Sequence, residues 1–445
     1  MPEREYGRIG QKRYGGTLYE EFLPELRGKR GAAVYHEMSE NDDIVGAVLT
    51  ALELLLRQAV WRVDPAGPEK KDAEAAEFVE QCRNDMQDTW TDTISEILSF
   101  LTYGWSYHEI VYKRRTGRKK NSALTSKYND GLIGWQKLPI RAQETLYEWI
   151  YDEHDNLLGM TQMPPPDYGI LEIPIQKALL FRTKSRKGNP EGRSILRNAY
   201  RSWYFKRRIQ EIEGIGIERD LAGLPVIYTP EKLNIFHNDP KTQQTKAALQ
   251  SYVKNIRRDE QEGVILPAGY KLELLSTGGN RQFDTNAIIN RYDTRIAMTV
   301  MADFLLLGHQ GTGSYALSSD KSQLFKEALS TYLDIICEVF NQQAIPRLID
   351  SNGRHFEGIT DYPKLMHGDV EHVDLGILGD FLQKMSASGI LVPDDEMEDF
   401  VRQVAKLPSR NDSRDDSRQA ARTQVHPEAV EEGTEAEAAK RRLGR

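Results

Sequence analysis

Two stretches of the chain have residue types and spacing that could do chemistry. His367-Gly368-Asp369-Val370-Glu371-His372-Val373-Asp374 gathers two histidines and three carboxylates within eight residues. Such a set could hold a divalent cation and activate water for phosphodiester cleavage, provided the ligands converge and leave a coordination position open. Strand alternation would put His367, Asp369 and Glu371 on one side and His372 and Asp374 on the other. That splits the set, and a solvated surface loop accounts for the same residues. The second stretch is Gly308-His309-Gln310-Gly311-Thr312-Gly313-Ser314. A phosphate-cradling loop needs glycine, four residues, then Gly-Lys-Ser or Gly-Lys-Thr, because the lysine and hydroxyl have defined jobs on phosphate and metal. Neither this run nor Lys187-Gly188-Asn189-Pro190-Glu191-Gly192 meets that spacing. No Ser-His-Asp spacing, dinucleotide fingerprint or zincin motif occurs. No catalytic residue, metal ligand or cofactor is therefore assigned.

Positive charge interleaves with aromatics at Trp203 with Lys206, Arg207 and Arg208, and along Lys113-Arg114-Arg115 to Arg118-Lys119-Lys120. Nucleic-acid surfaces share this pattern, and so do a solvated helix face and an exposed hairpin tip. His36, His108, His154, His237 and His355 are scattered and read as ordinary surface or core residues.

The glycine loop is held by two helices. Ile288, Ile289, Tyr292, Ile296, Val300, Phe304 and Leu305 recur every three or four residues and form one apolar stripe, with Asn290, Arg291, Thr294, Arg295 and Asp303 opposite. After Ser318-Ser319-Asp320, which suit a helix start, the stripe resumes from Leu324 and Phe325 to Val339 and Phe340, and Pro346 is expected to end it. Upstream, a helix through Leu196, Tyr200, Trp203, Tyr204 and Ile212 follows the turn Asn189–Ser194, with Ser194 its expected N-cap. Between the two long helices lies an insert. It reads as a strand at Leu224–Tyr228, a helix through Leu249, Tyr252, Val253 and Ile256, and strands at Gly263–Leu266 and Tyr270–Leu275.

The chain is 445 residues long, and 39% hydrophobic content is enough for two or three cores. No apolar run approaches the ~20 residues of a membrane span, and Met1–Arg13 lacks an apolar signal segment. Cys82 and Cys337 are the only cysteines, which suits a reducing compartment and excludes a disulfide framework. A protein assembled in the cytoplasm is expected. With a formal charge of −8, the bulk of the molecule does not offer sequence-independent attraction to DNA phosphate.

Residues 1–40 are polar, carry no sustained period and are expected to form a loosely attached arm. From Asp42 a helix runs through Val45, Val48, Leu52 and Leu56, and Val60–Val63 alternates like a strand. Residues 69–85 and 90–103 read as helices, the second ending at Gly104. Trp105–Arg115 and Gly134–Arg141 read as paired strands, and Leu146–Tyr151 with Leu157–Gln162 as a hairpin. Phe356–Tyr362 reads as strand, while Leu378–Met385 and Glu396–Ala405 read as helices. Residues 408–445 lack aromatics and mix eight Lys/Arg with eight Asp/Glu, so disorder is expected.

Several stretches, in order, resemble the portal proteins of tailed double-stranded DNA bacteriophages, in the branch typified by Mu-like phages. They are Asp43-Ile44-Val45-Gly46-Ala47 with Trp61-Arg62-Val63; Leu101-Thr102-Tyr103-Gly104-Trp105-Ser106 with Glu109-Ile110-Val111-Tyr112; Gly192-Arg193-Ser194-Ile195-Leu196-Arg197 with Tyr200 and Trp203-Tyr204-Phe205-Lys206; Glu218 with Gly223-Leu224-Pro225; and the helix-loop-helix above. The resemblance covers most of residues 40–405.

It implies an α+β portal fold with wing, two-helix stem, small α/β clip insert, channel loop and helical C-terminal crown. The implied divisions are an N-terminal arm at 1–40, the wing at 41–193 and 321–376, stem helices at 194–223 and 277–307, the clip at 224–276, the tunnel loop at 308–320, the crown at 377–407 and a disordered tail at 408–445. The implied function is a non-enzymatic ring, usually dodecameric, at one capsid vertex of the virion. It is the head-tail connector through which the genome is packaged and ejected. Partners would be the terminase large subunit, major capsid and scaffold proteins, a head-tail adaptor, and double-stranded DNA passing without sequence specificity; no membrane is involved. His309, Gln310, Thr312, Ser314, Tyr315 and Lys321 would line the DNA channel, and Lys206, Arg207, Arg208, Arg291 and Arg295 are candidate DNA-facing cations. The alternative from a different class is a metal-dependent phosphodiester-cleaving enzyme centred on His367–Asp374.

Overall fold

The computed structural model describes residues 7–222, 224–231, 233–255, 265–275, 284–300 and 315–368, with 380, 383–384 and 402. The chain divides into two compact units, Met1–Val370 and Glu371–Arg445, and every element named below belongs to the first.

Residues 7–40 depart from the expected loose arm. Strands β1 (Arg13–Tyr14) and β2 (Thr17–Leu18) form a small hairpin, and helix α1 (Gly28–Asn41) buries Ala32, Tyr35 and Met38. The periodic residues are only these three, interrupted by charge and flanked by Gly28 and Gly31, so the stripe is too short to stand out from the sequence. Arg197 pairs with Glu21 at 2.6 Å and Lys187 with Glu20 at 3.3 Å, tying this segment down.

Asp42 breaks the helix with extended backbone, and its carboxylate then accepts the amides of Ile44 and Val45 to start α2 (Asp43–Leu56). There follow β3 (Trp61–Asp64), α3 (Lys70–Asn84) and α4 (Trp90–Tyr103). α4 is capped at its start by the Thr89 hydroxyl and ends at Gly104, whose φ of 93° is the left-handed stop that glycine provides. Then come β4 (Trp105–Glu109), β5 (Val111–Arg114), β6 (Ile133–Lys137), β7 (Ile140–Arg141), β8 (Leu146–Tyr151), β9 (Leu157–Gln162), β10 (Leu171–Pro174) and β11 (Ala178–Arg182). They make antiparallel sheets in the orders β11-β4-β7, β10-β9-β8 and β5-β6.

α5 (Tyr200–Ala222) begins after a short turn, Ile195–Arg197, whose first amides include that of Leu196 donating to the Ser194 hydroxyl. Ser194 therefore caps this turn and not the long helix. The insert holds β12 (Leu224–Tyr228), α6 (Pro240–Asn255) and β13 (Lys271–Leu275), and among the described residues β12 and β13 pair only with each other. α7 (Thr285–Thr299) and α8 (Tyr315–Val339) follow. Pro346 does not end the last long helix as expected. The backbone widens into a π turn at Phe340–Ala344 and continues as α9 (Ile345–Ser351). Proline's missing amide and its clash with the carbonyl four residues back are absorbed where the ladder is already open. The expected strand at Phe356–Tyr362 is a set of turns instead. β14 (Lys364–His367) pairs with β3.

The main core joins α2, α3, α4, α8 and α9 through residues such as Leu52, Ile97, Phe100, Leu329, Ile336, Phe340 and Leu348. Each such side chain contributes about 1.5–3 kcal/mol by leaving water. A second cluster, including Trp105, Tyr107, Trp149 and Met160, glues β4 and β11 to the β8-β9-β10 sheet. A third sets α1, α2, α5 and α7 together through Tyr35, Met38, Val45, Trp203 and Ile296.

The root of α5 is clasped by backbone. Gly104 lies so close to residues 191–194 that a Cβ there would sit 2.6 Å from the Glu191 carbonyl oxygen. Its own carbonyl accepts the Thr183 amide at 3.1 Å, and Ser194 Oγ donates to the Thr102 carbonyl at 2.5 Å. The end of α4, the end of β11 and the entry to α5 meet at this point.

Candidate functional site

The contacts between α5 and α7 fix their relative direction. Glu213 meets Thr285, Lys206 meets Asp293, and Phe205 stacks on Tyr292 with ring centroids 6.5 Å apart. As numbers fall along α5 they rise along α7, so the helices are antiparallel. The chain that joins them, with β12, α6 and β13, leaves and returns at one end of the pair.

At the centre of the pair sits Lys206, 1% exposed, with Nζ 2.6 Å from Asp293 Oδ1, 2.8 Å from Asp43 Oδ1 and 3.0 Å from Asp42 Oδ2. Burial opposes the ammonium charge, but the three carboxylates more than restore it and hold its pKa above the ordinary value. Asp43 is held below the usual carboxylate range by its bond to Lys206, whereas burial and the two neighbouring carboxylates push Asp293 up. One cation shared among three anions explains the opposite directions. As a DNA-facing cation Lys206 is therefore excluded, a correction to the sequence reading. Its partners lie on α2 and α7, far along the chain, and the only hint was the helix-starting position of Asp42.

The other four candidate cations are on the surface. Arg207 faces Glu37 at 2.5 Å and Glu211 at 3.2 Å, and Arg208 faces Glu211 at 3.3 Å. Arg291 lies over the Tyr292 ring at 5.2 Å, and Arg295 is exposed beside it on α7. In the other basic stretch, Lys113 is buried against Asp85 at 3.1 Å and Arg115 against Asp130 at 2.7 Å. That leaves Arg114 exposed at the end of β5, and Arg118, Lys119 and Lys120 exposed on the loop that follows.

His309, Gln310, Thr312 and Ser314 lie outside the described residues, as do most of 377–407 and all of 408–445. Tyr315 and Lys321 fall in α8, so residues 315–320, expected in the tunnel loop, have helical backbone. Of the histidine and carboxylate cluster, His367 ends β14, with Nε2 3.1 Å from Asp334 Oδ1 and Nδ1 2.8 Å from the Gly368 carbonyl oxygen; residues 369–374 lie outside the description. Among the described residues no group of three or more His, Cys, Asp or Glu side chains is placed to hold a metal. Nor is any described helix long and apolar enough to cross a membrane.

A cavity of about 300 Å³ separates the N-terminal segment from residues 184–197, lined among others by Tyr35, Glu21, Glu191, Arg193 and Arg197. Burial raises Glu191 to about 7 although it accepts the Trp149 indole N–H at 3.2 Å. Carboxylates and guanidiniums alternate around the cavity, so it has no single sign of charge to select a ligand.

Residues 32–402 match the family described as portal protein of Mu bacteriophage. Three solved structures are similar in fold. A chain from the virion of a native gene transfer agent particle is 9% identical, covering 89% of this chain and 96% of that one, with a TM-score of 0.49. A chain from the neck of the native gene transfer agent particle computed with C12 symmetry is 10% identical, covering 85% and 94%, with a TM-score of 0.47. An HK97 family phage portal protein from Corynebacterium diphtheriae is 10% identical, covering 73% and 92%, with a TM-score of 0.40.

Proposed function

Because the chain belongs to the family of portal proteins of Mu bacteriophage, we propose that its helix pair, insert and loop divide the work of a genome channel among them. The protein is a structural, non-enzymatic component of the virion at the capsid vertex, forming the ring through which the genome is packaged and ejected. The reading of His367–Asp374 as a nuclease centre is thereby set aside.

The antiparallel order of the contacts between α5 and α7 carries the division of labour. An insert between antiparallel helices projects from one end of them, where it can meet other proteins without disturbing the remaining fold. In this reading 194–223 and 277–307 are the stem, and 224–276 is the clip that docks the terminase large subunit and the head-tail adaptor. Residues 41–193 and 321–376 are the wing, 377–407 the crown, and major capsid and scaffold proteins are further partners. The tunnel loop narrows to the residues before α8, with His309, Gln310, Thr312 and Ser314 toward the DNA. Polar uncharged side chains touch phosphate without the counterion release that would retain it. Arg207, Arg208, Arg291 and Arg295 are the stem cations that remain for the DNA side.

Twelve subunits are expected. Native mass measurement of the purified protein, with electron microscopy of the same sample, tests the ring and its count. A closed ring of twelve is the expected result. A monomer that cleaves DNA in the presence of a divalent metal would overturn the reading.

A further inference from the structure

We propose that the loop between β5 and β6 is a second contact surface for double-stranded DNA, meeting phosphates with Arg114, Arg118, Lys119 and Lys120. The inference rests on the genome-channel reading above and adds to it a surface that is built on neither the stem helices nor the tunnel loop.

The cations around this loop fall into two groups. Lys113 and Arg115 are buried and hold the backbone. Lys113 Nζ lies 3.1 Å from Asp85 Oδ2 and donates to the Thr125 carbonyl at 2.8 Å. The same Asp85 accepts the Ser126 hydroxyl at 2.7 Å and the Lys127 amide at 2.8 Å. Arg115 pairs with Asp130 at 2.7 Å, donates to the Gln81 side chain at 2.7 Å and lies 4.0 Å over the Tyr128 ring. Farther out, the Thr125 hydroxyl accepts the Lys119 amide at 3.2 Å and donates to the Lys119 carbonyl at 3.3 Å, closing the loop across its neck. The buried pair thus takes up both carboxylates, Asp85 and Asp130. Arg114, Arg118, Lys119 and Lys120 are left exposed, and among the described residues no carboxylate lies within salt-bridge distance of them.

Charge and surface chemistry select the partner. Four unpaired cations on a chain of formal charge −8 make a local positive surface, and a polyanion gains there by releasing its counterions. An acidic protein would need an apolar seat as well. Leu124, 42% exposed, is the only large hydrophobic side chain exposed between residues 114 and 132. Phosphate contacts require no such seat and carry no sequence information. Because the buried anchors already order the loop, binding has little left to immobilise.

A covalently closed circular duplex tests the surface, since a circle has no end to thread through a ring. Its affinity for the purified protein should fall at least about a hundredfold between 50 and 200 mM salt, as four phosphate contacts require. The triple variant Arg118→Gln/Lys119→Gln/Lys120→Gln should size like the wild type, bind the circle at least tenfold more weakly, and show only about a threefold fall over the same salt range. Arg114→Gln alone should remove one contact's share of the salt dependence, and it serves if the triple variant fails to fold. A wild-type protein that does not bind the circle overturns the proposal, as do variants with unchanged salt dependence. Binding of polyglutamate but not of the circle overturns it in favour of an acidic protein. Absence of a ring on sizing overturns the ring reading instead, while the comparison of wild type with variants still decides whether the loop binds DNA.

Discussion

The ammonium of Lys206 lies 2.6 Å from the carboxylate of Asp293, joining α5 to α7 inside the protein. Lys206→Ala would leave Asp42, itself only 7% exposed, without its counter-ion. The expected loss is about 3–5 kcal/mol. A double variant that also carries Asp293→Asn should be less destabilised than the sum of the two single changes, because the cluster's excess negative charge falls with it. Denaturant unfolding checks both. A cost near zero for Lys206→Ala would mean that the cluster is solvated in solution.

The insert should be separable from the fold that carries it. Among the described residues its strands β12 and β13 pair only with each other. Replacing residues 224–275 with a short glycine-serine linker should leave the unfolding transition of the remaining chain in place while abolishing docking of the motor and adaptor. Packaging retained by that variant would remove the clip assignment.

Within the proposed tunnel loop, His309→Ala and Gln310→Ala should leave assembly and thermal stability near wild type while altering packaging or genome retention. Cysteines at Thr312 should crosslink across the channel. A buried connector would give the reverse pattern, with lost stability and no crosslink.

His108 should give the fold an acid-side weakness. It is fully buried, with Nδ1 2.9 Å from the Leu138 carbonyl oxygen, and burial pushes its pKa down to about 4 from an ordinary 6.5. Between those values the unfolded chain binds a proton that the folded chain refuses, so stability falls as pH drops from 6.5 toward 4. The effect amounts to about 3 kcal/mol over the window. A His108→Gln variant should lose this part of the pH slope when unfolding is compared at neutral and acid pH. Equal slopes would show that the ring is hydrated in the native state.

Much of the fold was legible because one physical signal fixed it. The apolar stripe of α2, the glycine stop after α4 and the alternation in β8 and β9 each announce an element whose burial depends on near neighbours in sequence. What was not legible depends on distant partners. The basic character of Lys206 pointed outward until Asp42, Asp43 and Asp293 surrounded it. Tyr35 and Met38 have too few periodic companions to reveal α1 before Trp203 and Ile296 cover them. Proline chemistry at Pro346 predicted a stop, and only the π turn before it explains the continuation. The loop residues are assigned by resemblance alone, since glycines and uncharged polar side chains carry no chemistry that composition could point to.

The backbone clasp at Gly104 has a mechanical consequence. It is the fulcrum of a lever: α5 has 23 residues and so a span of about 35 Å. A tilt of about 5° at its root therefore carries the far tip through about 3 Å, the rise of two helical residues. Small strains arriving through α4 or β11 would thus be magnified at the insert, since the backbones meet directly at the pivot, braced by the Thr183 and Ser194 hydroxyls.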